Sequence, residues 1–406
     1  MIKMKKINFE NIIVLLFSVL PILDSLNGYL IQEGKPSIGT IYKLIIITVL
    51  FFMVLYHRKF TYNALTTIVT TIGYIVLTIS INLVLFEGTL LTMDFAVKLI
   101  FNVLILIFLL QNVRYQSING KTFYKILNNS SNLMIISFLL PYAFGQGYQI
   151  YAGGLGYKGF YYSQNELNAV LIILFYFCLY KVVSKLKMMT MIQLFGLTVC
   201  ILLTNTKSSM IACLLGFVVL FIEYMRKKEW KHKGIVILIL IIGIIGSREF
   251  LEVQIQSVLT RQNSLYSMYG NSLLDTLTSG RLYYLEAAWN YLIESPFFLV
   301  QFIIGNGFSS EYLIEMDLMD MFFYFGLIGI TTTLVFIGYV LKKSEKNFRS
   351  DKSIIRKFAF LLIIAFLNLT GHVLFMATSG CYFVLMCCFN MTYKTENIGG
   401  KDENNY

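Results

Sequence analysis

The sequence is poor in charge, proline, tryptophan and histidine. Only 14% of its 406 residues are charged, and it contains 4 prolines, 2 tryptophans and 3 histidines. Soluble domains are about 25% charged, so this low fraction, together with a mean hydropathy of +0.69, excludes a soluble enzyme and a disordered chain. The 6 cysteines lie inside apolar runs without metal-ligand or redox spacing, which excludes a secreted disulfide scaffold. With 57% hydrophobic residues, the composition predicts an all-α polytopic membrane protein.

Long apolar runs recur along the chain, and a membrane helix needs about 20 mostly apolar residues. Twelve segments qualify, which predicts about twelve transmembrane helices. They are 8–31, 38–56, 63–86, 89–110, 126–145, 164–181, 188–205, 208–225, 234–248, 312–341, 354–373 and 376–393. We therefore divide the chain into an N-terminal membrane part (1–248), a large loop (249–311), a C-terminal membrane part (312–393) and a tail (394–406).

The distribution of basic residues predicts the orientation. The chain has 33 Lys+Arg and 22 Asp+Glu, and 25 of the 33 basic residues fall in the terminal segments and alternate loops on one side of the membrane. By the positive-inside rule, that side is cytoplasmic. Both termini are then cytoplasmic, the 249–311 loop is extracytoplasmic, and the net charge of +11 needs no nucleic-acid partner to explain it.

The large loop is predicted to contain an amphipathic helix on the outer membrane surface. Ser279 is placed as its N-cap and Pro296 after its end. Four apolar residues fall on one stripe of this helix: Leu282, Leu285, Trp289 and Leu292.

Two polar clusters on the outer side are candidate substrate-binding segments. The first, residues 157–165, contains Lys158 and Asn165 and follows a G-x-G-x-x-G pattern. That pattern is not a dinucleotide fingerprint here, because no strand precedes it. The second places Lys207 among hydroxyl residues at a helix start. It suits an anionic ligand, and a lysine snorkelling to the interface remains the alternative.

The third cluster runs from Ser279-Gly280-Arg281 through Gly305-Asn306-Gly307 to an acidic group entering an apolar helix. Glu315, Asp317 and Asp320 are candidate catalytic acids, because acids at the edge of a membrane helix are usually functional. The alternative is a solvated helix start. Tyr324 lies one turn beyond Asp320, and His372 falls in a predicted outer turn; both are candidate substrate-binding residues.

In this order, the clusters resemble the O-antigen ligase and polymerase superfamily, with Wzy-type capsular and O-antigen polymerases the most similar. The resemblance covers nearly the whole chain, through short motifs. They are Pro21-Ile22-Leu23-Asp24-Ser25-Leu26-Asn27-Gly28, Gly159-Phe160 to Asn165 and Ala169, Lys207, Ser279-Gly280-Arg281, Trp289, Pro296, Gly305-Asn306-Gly307, Glu315 and Gly326-Leu327-Ile328-Gly329. Lys207 stands where the family usually has an arginine, and Glu315 where ligases have a histidine; both differences favour a polymerase.

The resemblance implies a bacterial cell-membrane glycosyltransferase with a GT-C-like helical fold. Its substrate would be an undecaprenyl-pyrophosphate-linked oligosaccharide repeat unit, joined at the outer face of the membrane. Arg281 and Lys207 would meet the pyrophosphate charge, and Glu315 would accept a proton, with Asp317 and Asp320 as alternates. No cofactor and no metal are implied, although three acids could hold a divalent cation. Membrane lipid, a flippase and a chain-length regulator are the expected partners.

Two other functions remain open at this stage. A ligase would share these motifs and differ in its acceptor. A flippase or transporter would also have about twelve helices, but it should show internal repeats and charges near the membrane midplane. We find no repeat in the sequence, and the polar clusters gather on one predicted side.

Overall fold

The structure is a computed structural model of the whole chain. It describes residues 9–56, 60–85, 91–150, 156–184, 187–226, 278–307, 314–350, 354–367, 371, 373–374 and 376–394, together with isolated positions between 252 and 267.

These residues form fourteen α-helices and, within the described ranges, no β-strand. The helices are α1 (Phe9–Ser18), α2 (Leu20–Gln32), α3 (Gly39–Tyr56), α4 (Tyr62–Leu85), α5 (Leu91–Arg114), α6 (Gly120–Ala143), α7 (Gln164–Ser184), α8 (Met188–Thr204), α9 (Lys207–Arg226), α10 (Arg281–Glu294), α11 (Phe298–Ile304), α12 (Asp317–Ser350), α13 (Ile354–Leu367) and α14 (Ala377–Thr392).

The predicted all-α polytopic membrane fold is confirmed. Six described helices are long and apolar enough to cross a membrane, or seven if the bent pair α1–α2 is one span. Eleven of the twelve predicted segments coincide with helices, and the ninth, 234–248, lies outside the described residues. The count of about twelve spans and the GT-C-like arrangement stay predictions.

Helix α6 begins six residues before the predicted segment, because the chain supplies a cap there. The side chain of Asn119 accepts hydrogen bonds from the backbone N–H groups of Lys121 and Thr122, at 2.8 and 3.3 Å. The Thr122 hydroxyl accepts the N–H of Asn119 in return, which completes a capping box. Such a cap stabilises a helix start by roughly 1 kcal/mol, so the helix extends into polar sequence that hydropathy alone leaves out.

Helix α7 lies at the centre of the bundle. Every side chain from Leu167 to Val183 is buried, and the helix contacts α6, α8, α9, α13 and α14. A helix that is apolar on all faces is stable only when it is enclosed. Helix α14 is buried in the same way from Ala377 to Asn390.

Helix α12 is broken at Gly326, where φ is +62°. Segment 305–307 docks at this break, since the N–H groups of Asn306 and Gly307 donate to the carbonyls of Phe323 and Tyr324 at 2.8 and 3.0 Å. A β-carbon on Gly326 would lie 2.3 Å from the Ile303 carbonyl oxygen. Glycine is therefore required for this close approach of two backbones.

The bundle has two chemically different ends. At one, which we call the site end, α7 and α14 begin side by side, and the N–H of Thr378 donates to Glu166 at 2.6 Å. At the other, which we call the basic end, Lys125 pairs with Glu10 at 3.0 Å. The described basic residues near the ends of α5, α7 and α9 lie at this basic end: Arg114, Lys181 and Arg226.

This polarity predicts that the site end faces away from the cytoplasm, because cytoplasmic segments collect Lys and Arg. All six cysteines are buried, which shields them from an impermeant reagent, so single cysteines introduced at exposed positions can be labelled selectively. Cysteines at Glu33 and Glu315 should react with an impermeant maleimide in intact cells, whereas one at Lys187 should react only after lysis. The reverse pattern would invert the orientation.

Candidate functional site

Arg281 and Glu315 form an ion pair at the site end, 34 residues apart in the chain. The distance from Arg281 Nη2 to Glu315 Oε2 is 3.4 Å. The arginine side chain is 16% exposed and the glutamate 46% exposed. This distance is longer than the about 2.7–2.9 Å of close charge-assisted pairs, and the carboxylate is the more accessible of the two groups.

Left-handed backbone presents both residues. Glu315 has φ of +64°, and before Arg281 the backbone is left-handed at Ser279 (φ +58°) and Gly280 (φ +81°). Non-glycine residues in this region cost on the order of 1–3 kcal/mol and cluster at functional sites. The prediction that Ser279 is the N-cap is wrong: Gly280 occupies that position, without a side-chain capping bond.

The predicted amphipathic helix is present as α10 and carries Arg281 as its first residue. Its buried residues Ala288 and Leu292 belong to an apolar cluster shared with α12. The Trp289 ring stacks on Phe322 of α12, with centroids 6.1 Å apart. This packing fixes the helix start that holds the guanidinium.

Asp317 and Asp320 share one face of α12, and the carboxylate of each already accepts hydrogen bonds from backbone amides. Asp317 is fully buried and accepts the N–H of Val373 at 3.0 and 3.1 Å and the N–H of Leu374 at 3.0 Å. Asp320 is equally buried and accepts hydrogen bonds at 3.0 and 2.9 Å from the N–H groups of Ile314 and Met316. Both carboxylates therefore shape the loops around the site.

Glu315 is thus the exposed member of the acidic group. Tyr324 is buried within electrostatic reach of all three acids. Among the described residues, no three acidic, histidine or cysteine side chains are arranged to hold a metal ion.

Asn165, a candidate substrate-binding residue, has its side chain close to Gly371, as has Arg281; the role of Asn165 in binding stays a prediction. The two side chains meet at Gly371, where φ is +87°. A β-carbon there would lie 2.5 Å from Asn165 Nδ2 and 3.6 Å from Arg281 Nη2. Glycine thus allows the backbone to pass close to both. The next residue, His372, lies outside the described residues, so its substrate role stays a prediction.

The two candidate lysines lie on neighbouring segments of the site end. Lys207 is the first residue of α9, directly after the helix end where the Tyr157 N–H donates to Leu203 at 2.8 Å. Lys158 Nζ donates to the Tyr162 carbonyl at 3.2 Å, and burial lowers the pKa of this ammonium. Their roles in substrate binding stay predictions.

Glu166 is an acid of the site end that the sequence reasoning missed. Its carboxylate accepts the N–H of Thr378 at 2.6 Å and that of Ser379 at 3.3 Å, at the start of α14. The signal was present, since an acid within a predicted span is expensive and usually has a specific role.

This arrangement can carry out a displacement at an anionic substrate. A guanidinium binds phosphate oxygens bidentately, and a neighbouring exposed carboxylate can accept a proton. The helix starts around the pair also favour negative charge.

Part of the chain is similar to a known protein family. Residues 192–314 match the protein family described as O-antigen ligase; the match includes Lys207 and Arg281 and ends one residue before Glu315. No curated protein matches the chain. The family comprises O-antigen ligases and related polymerases, which are glycosyl-transferring enzymes acting on lipid-linked polysaccharide substrates. Over residues 192–314, this multi-pass membrane protein is therefore similar to the O-antigen ligase family.

Proposed function

We propose that the protein is a polysaccharide polymerase that joins undecaprenyl-pyrophosphate-linked oligosaccharide repeat units at the outer face of the bacterial cell membrane, in capsule or O-antigen synthesis. The observation that carries the proposal is the accessible Arg281–Glu315 pair, with Nη2 and Oε2 3.4 Å apart. It combines an anion-binding group and a proton acceptor in one place, within the superfamily's matched region and its border.

The proposed step is transfer of a glycan from one lipid carrier to a sugar hydroxyl. The hydroxyl oxygen forms a bond to the anomeric carbon of the donor glycan. The bond from that carbon to the pyrophosphate oxygen breaks, and undecaprenyl pyrophosphate leaves with the electron pair. Glu315 takes the hydroxyl proton, while Arg281 and Lys207 stabilise the charge that develops on the leaving group.

The outer leaflet suits this reaction because no nucleotide sugar is available there and the lipid pyrophosphate itself is the activated donor. A flippase would deliver the repeat unit, and a chain-length regulator would act on the product. The proposed glycan transfer takes place at the site end and requires no domain at the basic end.

Glu315 favours a polymerase over a ligase, because by the family resemblance it stands where ligases have a histidine. The discriminating experiment is deletion of the gene followed by gel sizing of the surface glycan. A polymerase deletion leaves a single repeat unit in place of the ladder. Full-length chains that remain on the lipid carrier and are not attached to their acceptor would instead indicate a ligase.

Substitutions of the two cations test the anion-binding role. Arg281→Ala should abolish the ladder; the protein level is measured alongside, because the side chain is only 16% exposed and pairs with Glu315. Arg281→Lys should restore little activity, since a point charge does not reproduce bidentate contact with phosphate. Lys207→Arg should retain activity, because similar proteins have arginine there. Wild-type ladders from Arg281→Ala would contradict the role.

The role of Glu315 can be tested with an isosteric change. Glu315→Gln keeps size and hydrogen-bonding shape but removes the basic oxygen, and loss of a general base typically lowers the rate by about 10²–10⁴. The assay is polymer length made by purified protein from a lipid-linked repeat unit. Full activity of Glu315→Gln would end the assignment.

Asp317→Asn and Asp320→Asn are the matched controls. Each removes one buried acceptor of backbone amides, so the free energy of unfolding should fall by roughly 1–3 kcal/mol. Turnover per folded molecule should be less affected than by Glu315→Gln. Equal loss of turnover in all three variants, with inhibition by EDTA, would replace the general base with a metal site.

A further inference from the structure

Besides the Arg281–Glu315 pair, the site end contains a polar cavity, which is lined by residues of α2, α3, α5, α7 and α14. Its volume is about 530 Å³, and the residues that line it do not include Arg281 or Glu315. Ligand sites in proteins measure about 300–1,000 Å³, so this cavity has the size of a binding site separate from the ion pair.

Four ionisable side chains from four candidate membrane spans line the cavity: Asp24, Lys43, Lys98 and Glu166. Lys43 Nζ lies 3.7 Å from Asp24 Oδ1, and these side chains are only 18% and 15% exposed. Burying charge within a membrane span is costly, and such residues usually mark a functional site.

Three buried oxygens of the cavity make no hydrogen bond of full geometry among the described residues: Asp24 Oδ2, Thr378 Oγ1 and the Tyr382 hydroxyl. Their nearest polar neighbours are other side chains, since Asp24 lies near Thr378 and Tyr382 near Ser130. Thr378 is 4% exposed and Tyr382 is 0% exposed. Buried polar groups in native proteins are nearly always hydrogen-bonded. Their arrangement therefore calls for a polar occupant.

The balance of charge identifies the class of occupant. Two carboxylates face two ammonium groups, so an anion finds no excess of cations and a metal ion finds repelling lysines. A polyhydroxyl ligand suits the mixture, because each hydroxyl can donate to a carboxylate and accept from an ammonium. We infer that the cavity binds one or two sugar residues of a glycan, as a subsite distinct from the Arg281–Glu315 pair.

The position of the cavity connects it to that pair. Asn165 and Glu166 are adjacent at the start of α7; Asn165 meets Arg281 at Gly371, and Glu166 lies in the cavity wall. A glycan held in the cavity therefore contacts Glu166, and the residue before it in α7, Asn165, is the one near Arg281. The identity of this glycan as polymerase substrate rests on the proposed function; the binding of sugar does not.

The cavity also explains the Pro21–Gly28 motif, to which the reaction assigns no role. Asp24 and Asn27 line the cavity, and Asn27 Oδ1 accepts the N–H of Gly39 at 2.8 Å, at the start of the helix that carries Lys43. A β-carbon on Gly28 would lie 2.1 Å from the Phe160 carbonyl oxygen. The motif thus supplies one wall of the cavity and the glycine against which the opposite loop packs.

The test is equilibrium binding of a sugar probe to the full-length protein in detergent. The probe is a fluorescently labelled oligosaccharide, free of lipid and phosphate, prepared by partial hydrolysis of the polysaccharide made by cells that express the protein. Tyr382→Phe and Thr378→Val should each weaken binding by roughly fivefold to tenfold. Asp24→Asn should weaken it by at least about tenfold, since a charged acceptor is lost.

The two neutral variants keep the test valid if Asp24→Asn fails to fold. They remove hydroxyls whose nearest polar side chains are Asp24 (for Thr378) and Ser130 (for Tyr382), so the thermal stability of each variant is measured alongside binding and affinity is compared per folded molecule. Lys35→Met, an exposed cation of the same end outside the cavity lining, is the matched control and should bind the probe normally. Wild-type affinity in all three cavity variants would overturn the inference.

Failure of the proposed function gives a different result. A wild-type protein that makes no polymer but binds the probe in a Tyr382-dependent manner would refute the polymerase and support the subsite. A polymerase whose KM values for donor and acceptor are both unchanged in Tyr382→Phe would refute the subsite alone. An increase in KM for the lipid-linked chain assigns the cavity to the donor glycan, and an increase for the repeat unit assigns it to the acceptor.

Discussion

The buried carboxylate of Asp317 joins the parts of the molecule on which both sites depend. It accepts the backbone N–H groups of Val373 and Leu374, at 3.0–3.1 Å. Backbone amides away from water need a partner, and the carboxyl oxygens of Asp317 provide it. The tie holds the segment before α14 against the start of α12. On one side of the tie, Gly371 lies against the Arg281 side chain, and on the other, Thr378 lines the cavity. One carboxylate therefore positions the reaction site relative to the proposed sugar subsite.

Backbone geometry accounts for much of the glycine signature that the superfamily resemblance uses. Gly305 and Gly326 face each other where segment 305–307 docks at the break in α12; β-carbons there would lie 2.3 Å from the carbonyl oxygens of Tyr324 and Ile303, respectively. They let two backbones meet at the break in α12. Glu315, just before the start of that helix, has a left-handed backbone, with φ of +64°.

Hydropathy was sufficient to place eleven segments, because membrane burial is a property of contiguous sequence. Arg281 and Glu315 could be assigned to one outer cluster, but their contact was not predictable, since 34 residues separate the two. The roles of Asp317 and Asp320 were not predictable, because the amides that occupy Asp317 are 56 and 57 residues away in the chain. Asp24 belongs to the Pro21–Gly28 motif, but the sequence does not mark it as part of a site, since its partner Lys43 is on another helix. Pairings between helices are set by packing, which a single sequence does not display.

Two arginines at opposite ends of the bundle differ in burial and in the partners of their guanidinium groups. Arg356, at the basic end, is fully buried and donates to the Asn390 side chain and to the carbonyls of Phe389, Asn390 and Tyr393 at 3.0–3.2 Å. It also stacks over the Phe389 ring, 4.7 Å from its centroid. Releasing it would leave carbonyls at the end of α14 unsatisfied, so it is committed to the fold. Arg281 lies 3.4 Å from the more exposed carboxylate of Glu315, and its own side chain is 16% exposed. Under the proposed function, a phosphate of the substrate takes the place of that carboxylate, whereas Arg356 stays bound to the backbone at the end of α14.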